Sequence, residues 1–278
     1  MAGSSSLLKP FRAGDRLAHP HGISLLLPSC LLFFLFSFPA PESLKAPTHI
    51  ENDKGSITVR DTNGKQRWSA SWTMESSSLD GRPAVRFTET GRGQYSPYTT
   101  DVTWTIESVW SADGSFSPRT STKTFRDAKG NTVGTETKTM DRNGNIRFER
   151  RAPNNENETK TFKAPPDTLF VEGIAGVLRQ LPFQRKTAFP MHLLSNEPKL
   201  YEVTFEPRGR ETVRTPAGEF DCYKIEVVPH LGALSNLAKL FAAKSYFWFT
   251  VAAPHVWVRY EGYENGPGTP RIRMEMGK

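Results

Sequence analysis

The strongest constraint on this chain is a series of short alternating segments, each closed by a turn dipeptide. Trp68, Ala70, Trp72 and Met74 alternate with Ser69, Ser71 and Thr73 and stop at Asp80-Gly81. Val102, Trp104 and Ile106 alternate with Thr103, Thr105 and Glu107 and stop at Asp113-Gly114. An apolar residue at every second position places the apolar side chains on one face of an extended strand. Residues 57–60 lead to Asn63-Gly64, residues 119–127 and 132–141 flank Lys129-Gly130-Asn131, and Asn143-Gly144 precedes residues 146–150. Asn-Gly and Asp-Gly supply the positive φ that tight hairpins need, so the pattern predicts an antiparallel meander. The densest aromatic and β-branched run fills residues 211–276. There Tyr223, Ile225 and Val227 share one strand face, with Cys222, Lys224 and Glu226 on the other.

Residues 119–163 are rich in Thr, Lys, Arg and Glu, and strands of this composition belong at a sheet edge or wrapped outward. Two helices are expected. Val171, Ile174, Ala175, Leu178 and Leu181 have helical spacing, ended by Pro182; so do Leu231, Leu234, Leu237, Ala238 and Phe241. Both are short and one-sided, which predicts packing against the sheet.

The chain of 278 residues opens with a polar segment carrying Lys9, Arg12 and Arg16, followed by ISLLLPSCLLFFLFSFP at 23–39, which is free of charge. A basic segment before an apolar one reads as a leader spanning 1–40, either a secretory signal peptide or an N-terminal membrane anchor, with the C-terminal part sent outward. Leu27-Pro28-Ser29-Cys30 loosely matches a lipobox, but the apolar run continues past the cysteine. Residues 41–49 form a Pro-rich connector, and 50–278 read as a single β-rich envelope domain.

The net charge of +7 comes from 36 Lys and Arg interspersed with 29 Asp and Glu, with no basic run to track a nucleic acid, and no nucleic-acid partner is expected. Cys30 lies in the leader and Cys222 in a strand, so no disulfide forms within the domain; a lone strand thiol reads as a small buried hydrophobe. His192, His230 and His255 lack the spacing of a metal site, no HExxH or CxxC is present, and no metal or cofactor is expected. The GxSxG elbow and a Gly-rich phosphate loop are also missing, and no catalytic residue is assigned.

The candidate site is a strand face. Strict alternation places His255, Trp257, Arg259 and Glu261 together, with Val256, Val258 and Tyr260 behind them. A face mixing Trp with Arg and Glu suits a semi-polar ligand groove; the plain alternative is an exposed face with a cross-strand ion pair. Pro216 and Gly218 in TPAGEF are assigned to a structural turn, with Pro setting φ and glycine supplying positive φ two residues on.

The segments TVRTPAGEFDCYKIEV, FWF, PHVWVRYEG and GPG, with VTWTIESVW and SPRTSTKTFRDAKGNTVG upstream, resemble a large uncharacterised family of bacterial envelope proteins across about 57–276. The resemblance implies the architecture of periplasmic lipoprotein carriers. That is a mainly β (α+β) fold, a large curved antiparallel sheet or half-barrel with two short helices packed against its concave face. It implies export to the periplasm or cell envelope and carries over no activity and no catalytic residue. The functional reading is a non-enzymatic protein binding an apolar or amphipathic ligand, a lipid or lipoprotein-like partner, on the curved sheet. Two other functions stay open: an assembly partner recruiting strands at an open sheet edge, and a hydrolase of an envelope polymer should two carboxylates such as Glu202 and Glu261 converge in a pocket.

Overall fold

The structure, a computed structural model, describes residues 52–152, 157–184, 187–196, 198–230, 244–266 and 268–278. The expected leader, the connector and the helix around Leu231 to Phe241 lie outside the described residues.

One 15-stranded sheet contains β1 (Asp53–Asp61), β2 (Gln66–Leu79), β3 (Arg82–Gly93), β4 (Val102–Ser111), β5 (Ser117–Arg126), β6 (Thr132–Met140), β7 (Asn145–Arg151) and β8 (Glu158–Lys163) on one side. Its other side contains β9 (Thr168–Phe170), β10 (Phe189–Leu194), β11 (Leu200–Thr215), β12 (Gly218–Pro229), β13 (Ser245–Thr250), β14 (Trp257–Tyr263) and β15 (Arg271–Met276). β1 pairs with β15 through Ile57 opposite Met276 and Val59 opposite Met274, so the first and last strands meet mid-sheet and two meanders run outward from them. Every pairing is antiparallel except β9 with β10. The edges are β8 and β9.

The turns show how local chemistry fixes register. Asp80 (φ 52°) and Gly81 (φ 74°) form a two-residue hairpin between Leu79 and Arg82, which face each other across the pair. Three further hairpins share another device. Asp61, Asp127 and Asp141 each accept, on Oδ1, the backbone N–H groups two and four residues on, at 2.8–3.0 Å. In these turns only the glycine takes positive φ, at Gly64, Gly130 and Gly144. Asn63 and Asn143 therefore do not supply the positive φ expected of them: the aspartate before them holds a longer loop with the bulge on glycine.

The sheet curls until β9 lies against β5. Its inner face holds one core that includes Trp68, Trp104, Trp110, Phe125, Phe170, Phe205 and Phe249, and burying each such side chain contributes roughly 1.5–3 kcal/mol. A smaller cluster, Val213, Cys222, Trp248 and Val258, sits on the outer face of β11–β14. The sheet is the large curved one expected, but the described residues contain one helix rather than two. That helix, α1 (Ile174–Leu178), is a single turn and a half, buried through Ile174, Val177 and Leu178. A Cβ at Gly176 would stand 2.6 Å from Met74 Sδ, so α1 lies flat on the inner face of β2.

The polar strands β5–β8 do form one end of the sheet, with β8 largely exposed. Their inner face is not merely thin, however: Lys123 and Lys138 are fully buried on it.

Candidate functional site

Between the curled sheet and α1 lies a cavity of roughly 880 Å³. One wall comes from Ile57, Trp68, Trp72, Met74, Phe87 and Ile106 on β1–β4. The opposite wall comes from Leu193, Val203, Val227, Phe247, Trp257, Tyr260 and Met274 on β10–β15, and α1 contributes Ile174, Ala175 and Gly176. These are the inward positions of alternating strands, so the pattern that builds the core also builds the cavity.

A row of charge crosses the inner face. Trp72, Glu89, Ile106, Lys123, Glu136 and Arg150 are successive register partners from β2 to β7, so their side chains share one face. At its buried centre Glu172, between β9 and α1, takes Lys123 Nζ at 3.0 Å and Lys138 Nζ at 2.8 Å. Lys123 also donates to Asn196 Oδ1 at 2.5 Å, and Asn196 Nδ2 donates to Asn265 Oδ1 at 2.6 Å, where Tyr95 Oη donates at 3.0 Å. These contacts tie the β10–β11 and β14–β15 turns to β5 and the β3–β4 loop, across the mouth of the curl. Burial alone would raise the Glu172 carboxyl, but the two ammonium groups outweigh it and pull it down to about 2. Two lysines share this one carboxylate. Burial depresses both; Glu172 overcomes that for Lys123, which is held above the usual lysine range, while Lys138 ends below it.

Most acids in the cavity wall are matched by a protein cation. Asp53 pairs with Arg179 at 2.8 Å, Glu264 with Arg67 at 3.3 Å, Glu226 with Arg208 at 2.7 Å and Lys244 at 3.3 Å, and Glu206 with Arg208. Glu89 differs. Its Oε1 accepts Trp104 Nε1 at 2.9 Å, it is 8% exposed, and no cation among the described residues lies within 4.0 Å of it. Burial pushes its carboxyl above the usual range, against the Trp104 hydrogen bond and the charge of Lys123. Parity could have found this row: Lys123 stands two residues from Phe125, so whatever buries the phenyl ring also buries the lysine.

The four residues of the predicted groove do not share a face. Register partners Phe249–Trp257, Trp248–Arg259 and Phe247–Tyr260 show that β14 carries a bulge at Val258. The extra residue shifts the alternation, so Trp257 and Tyr260 face inward while Val258, Arg259 and Glu261 face outward. Trp257 lines the cavity. Arg259 lies over the Trp248 ring and pairs with Glu275 at 2.6 Å, and Glu261 pairs with Arg273 at 2.8 Å. His255 occupies the β13–β14 turn at φ 58°, its Nδ1 2.9 Å from the Thr250 carbonyl and its ring edge-on to Phe183. Pro216 lies in the β11–β12 turn and Gly218 (φ 139°) pairs with Thr215, both away from the cavity wall. Glu202 is exposed on β11 and Glu261 faces outward three strands away on β14, so the two carboxylates do not converge. The Cys222 thiol, fully buried, is pushed up to about 12 by burial, which disfavours the thiolate.

Among the described residues no group of His, Cys, Asp or Glu could hold a metal ion, and no helix is long and apolar enough to cross a membrane. No curated protein matches the chain. Among solved structures it is similar to a β-barrel-like protein of the DUF1849 domain of unknown function from Brucella abortus, with 8% identity over 81% of this chain and 95% of that one and a TM-score of 0.43. It is also similar to a candidate lipoprotein from Parabacteroides distasonis, at 12% identity over 85% and 97% of the chains with a TM-score of 0.33. A third likeness is to a candidate exported protein with a YmcC-like fold from Bacteroides fragilis, at 12% identity over 85% and 98% with a TM-score of 0.28. Residues 57–276, from the first strand to the last, match the family described as protein of unknown function DUF3108, and the chain belongs to that family.

Proposed function

We propose that this protein is a non-enzymatic protein of the cell envelope that binds an apolar or amphipathic ligand, lipid or lipoprotein-like, inside its curled sheet. The observation that carries the reading is the cavity itself: roughly 880 Å³, within the range of small-ligand sites, with walls built mainly from aromatic and aliphatic side chains. A few charged side chains, Glu89, Lys123 and Glu172 among them, share the lining with these apolar walls, which suits a molecule with an apolar body and a polar terminus. Export follows from the basic segment before the apolar residues 23–39. The edge strand β8 exposes Lys160 and Lys163, and charges on an edge oppose strand addition, so ligand binding is favoured over edge-to-edge assembly.

Native mass spectrometry of the full chain extracted from its host's membrane fraction tests the proposal. A bound species of lipid-like mass is expected with the wild type. Ala175→Trp, which projects an indole from α1 into the cavity, should abolish that species while leaving the melting temperature within a few degrees. Equal retention by Ala175→Trp would remove the cavity as the binding site.

A further inference from the structure

Resting on the cavity as a binding site, the ligand's polar terminus can be read from the one acid in the wall that the protein leaves unmatched. Among the described residues, five of the six acidic side chains lining the cavity stand within 4.0 Å of a lysine or arginine, whereas Glu89 does not. Its nearest positive neighbour along the row, Lys123, lies two strands away and is already held by Glu172 and Asn196. Trp104 Nε1 donates to Glu89 Oε1 at 2.9 Å and anchors the carboxyl where it stands. The second oxygen, Oε2, has no hydrogen-bond partner among the described residues, and the carboxyl lines the cavity. Beside it stand Trp72, its register partner on β2, and Phe87, whose ring stacks on Trp72 at 6.4 Å.

A carboxylate with one oxygen free in an apolar cavity, flanked by aromatic faces, is the arrangement that recognises an alkylammonium group: the carboxylate supplies the counter-charge and the rings supply cation–π attraction. We propose that the cavity's ligand is an amphiphile whose polar terminus carries an amine or quaternary ammonium, paired to Glu89 against Trp72. An anionic terminus would meet the Glu89 carboxylate, and among the described residues each cation lining the cavity, Lys123, Arg179, Arg208 and Lys244, is already paired with a carboxylate. A neutral terminus would leave the carboxyl without a counter-charge.

The test is isothermal titration of the full chain with three probes of one chain length, decyltrimethylammonium and decanoate below their micellar concentrations and decanol below its solubility limit. The ammonium is expected to bind at least about tenfold more tightly than either of the others, as a charge-assisted contact adds to a shared apolar body. Glu89→Gln keeps the shape and the acceptor for Trp104, and should lose that tenfold preference while changing decanol affinity by less than about twofold. Decanoate binding most tightly, or Glu89→Gln leaving the order unchanged, would overturn the assignment of the head group. If that variant does not fold, the wild-type ranking decides alone. Failure of all three probes to bind would sink the cavity reading, and this inference with it.

Discussion

At Val258 one residue decides which side chains the cavity sees. A strand read by strict alternation puts Trp257 with Arg259 and Glu261, and nothing in PHVWVRYEG, neither glycine nor proline at the bulge, announces that the count slips. The slip is visible only in the pairing, where Trp257 faces Phe249 and Arg259 faces Trp248. Its cause is that both faces of β14 are claimed: Val258 is fully buried in the outer cluster while Trp257 and Tyr260 pack inward. Trp257→Ala is therefore expected to cost about 3 kcal/mol, the low end for a core tryptophan because part of the ring borders the cavity. Equilibrium urea unfolding checks this. A cost below about 1 kcal/mol would mean that Trp257 stands free of the core.

At the scale of the hairpin, the turn positions were legible and the turn chemistry only partly so. Gly64, Gly81, Gly130 and Gly144 all adopt positive φ, as the dipeptides implied. The role of Asp61, Asp127 and Asp141 is not legible in the turn dipeptides, because each aspartate stands three residues before its glycine. For Asp127 and Asp141 the hydrogen bonds from Asn131 and Asn145 pull the carboxyl below its ordinary value. A depressed carboxyl stabilises the folded state above its unfolded pKa and ceases to do so as the pH falls through the folded one. The glycines of two such hairpins should respond differently to a methyl group. A Cβ at Gly130 meets nothing within 4 Å, so Gly130→Ala bears only the strain of positive φ, about 1 kcal/mol. A Cβ at Gly144 would stand 3.1 Å from the Ala164 carbonyl, whose residue donates its N–H to the Gly144 carbonyl at 2.8 Å. Gly144→Ala should therefore lower the melting temperature more than Gly130→Ala, and also loosen the start of the β8–β9 connection. Equal shifts in differential scanning calorimetry would show that backbone strain alone sets the cost.

For the molecule as a whole, the antiparallel meander was legible because it follows from period two and short turns, whereas the curvature of the sheet was implied only by the family resemblance. What curls the sheet shut was not legible, since it depends on a carboxylate outside any strand. Glu172 joins Lys123 of β5 to Lys138 of β6, and with Asn196 it brings the second meander onto the first. Three buried charges make poor net stabilisers, because desolvation offsets most of their attraction, yet removing one of them exposes the full imbalance. Glu172→Gln should thus cost about 3–5 kcal/mol, with Lys123 and Lys138 left buried without a counter-ion. Combining it with Lys138→Met removes one of the stranded charges and should recover at least half of that loss, which two independent defects could not do. The acid limb gives a second readout. Glu172 is lowered from an ordinary value of 4.5 to about 2, so its contribution is complete above 4.5 and disappears as the pH falls toward 2. Wild-type stability should fall across that window, and Glu172→Gln should show a shallower fall. If Glu172→Gln costs less than about 1 kcal/mol in urea and its acid limb overlays that of the wild type, the closure of the sheet does not depend on this triad.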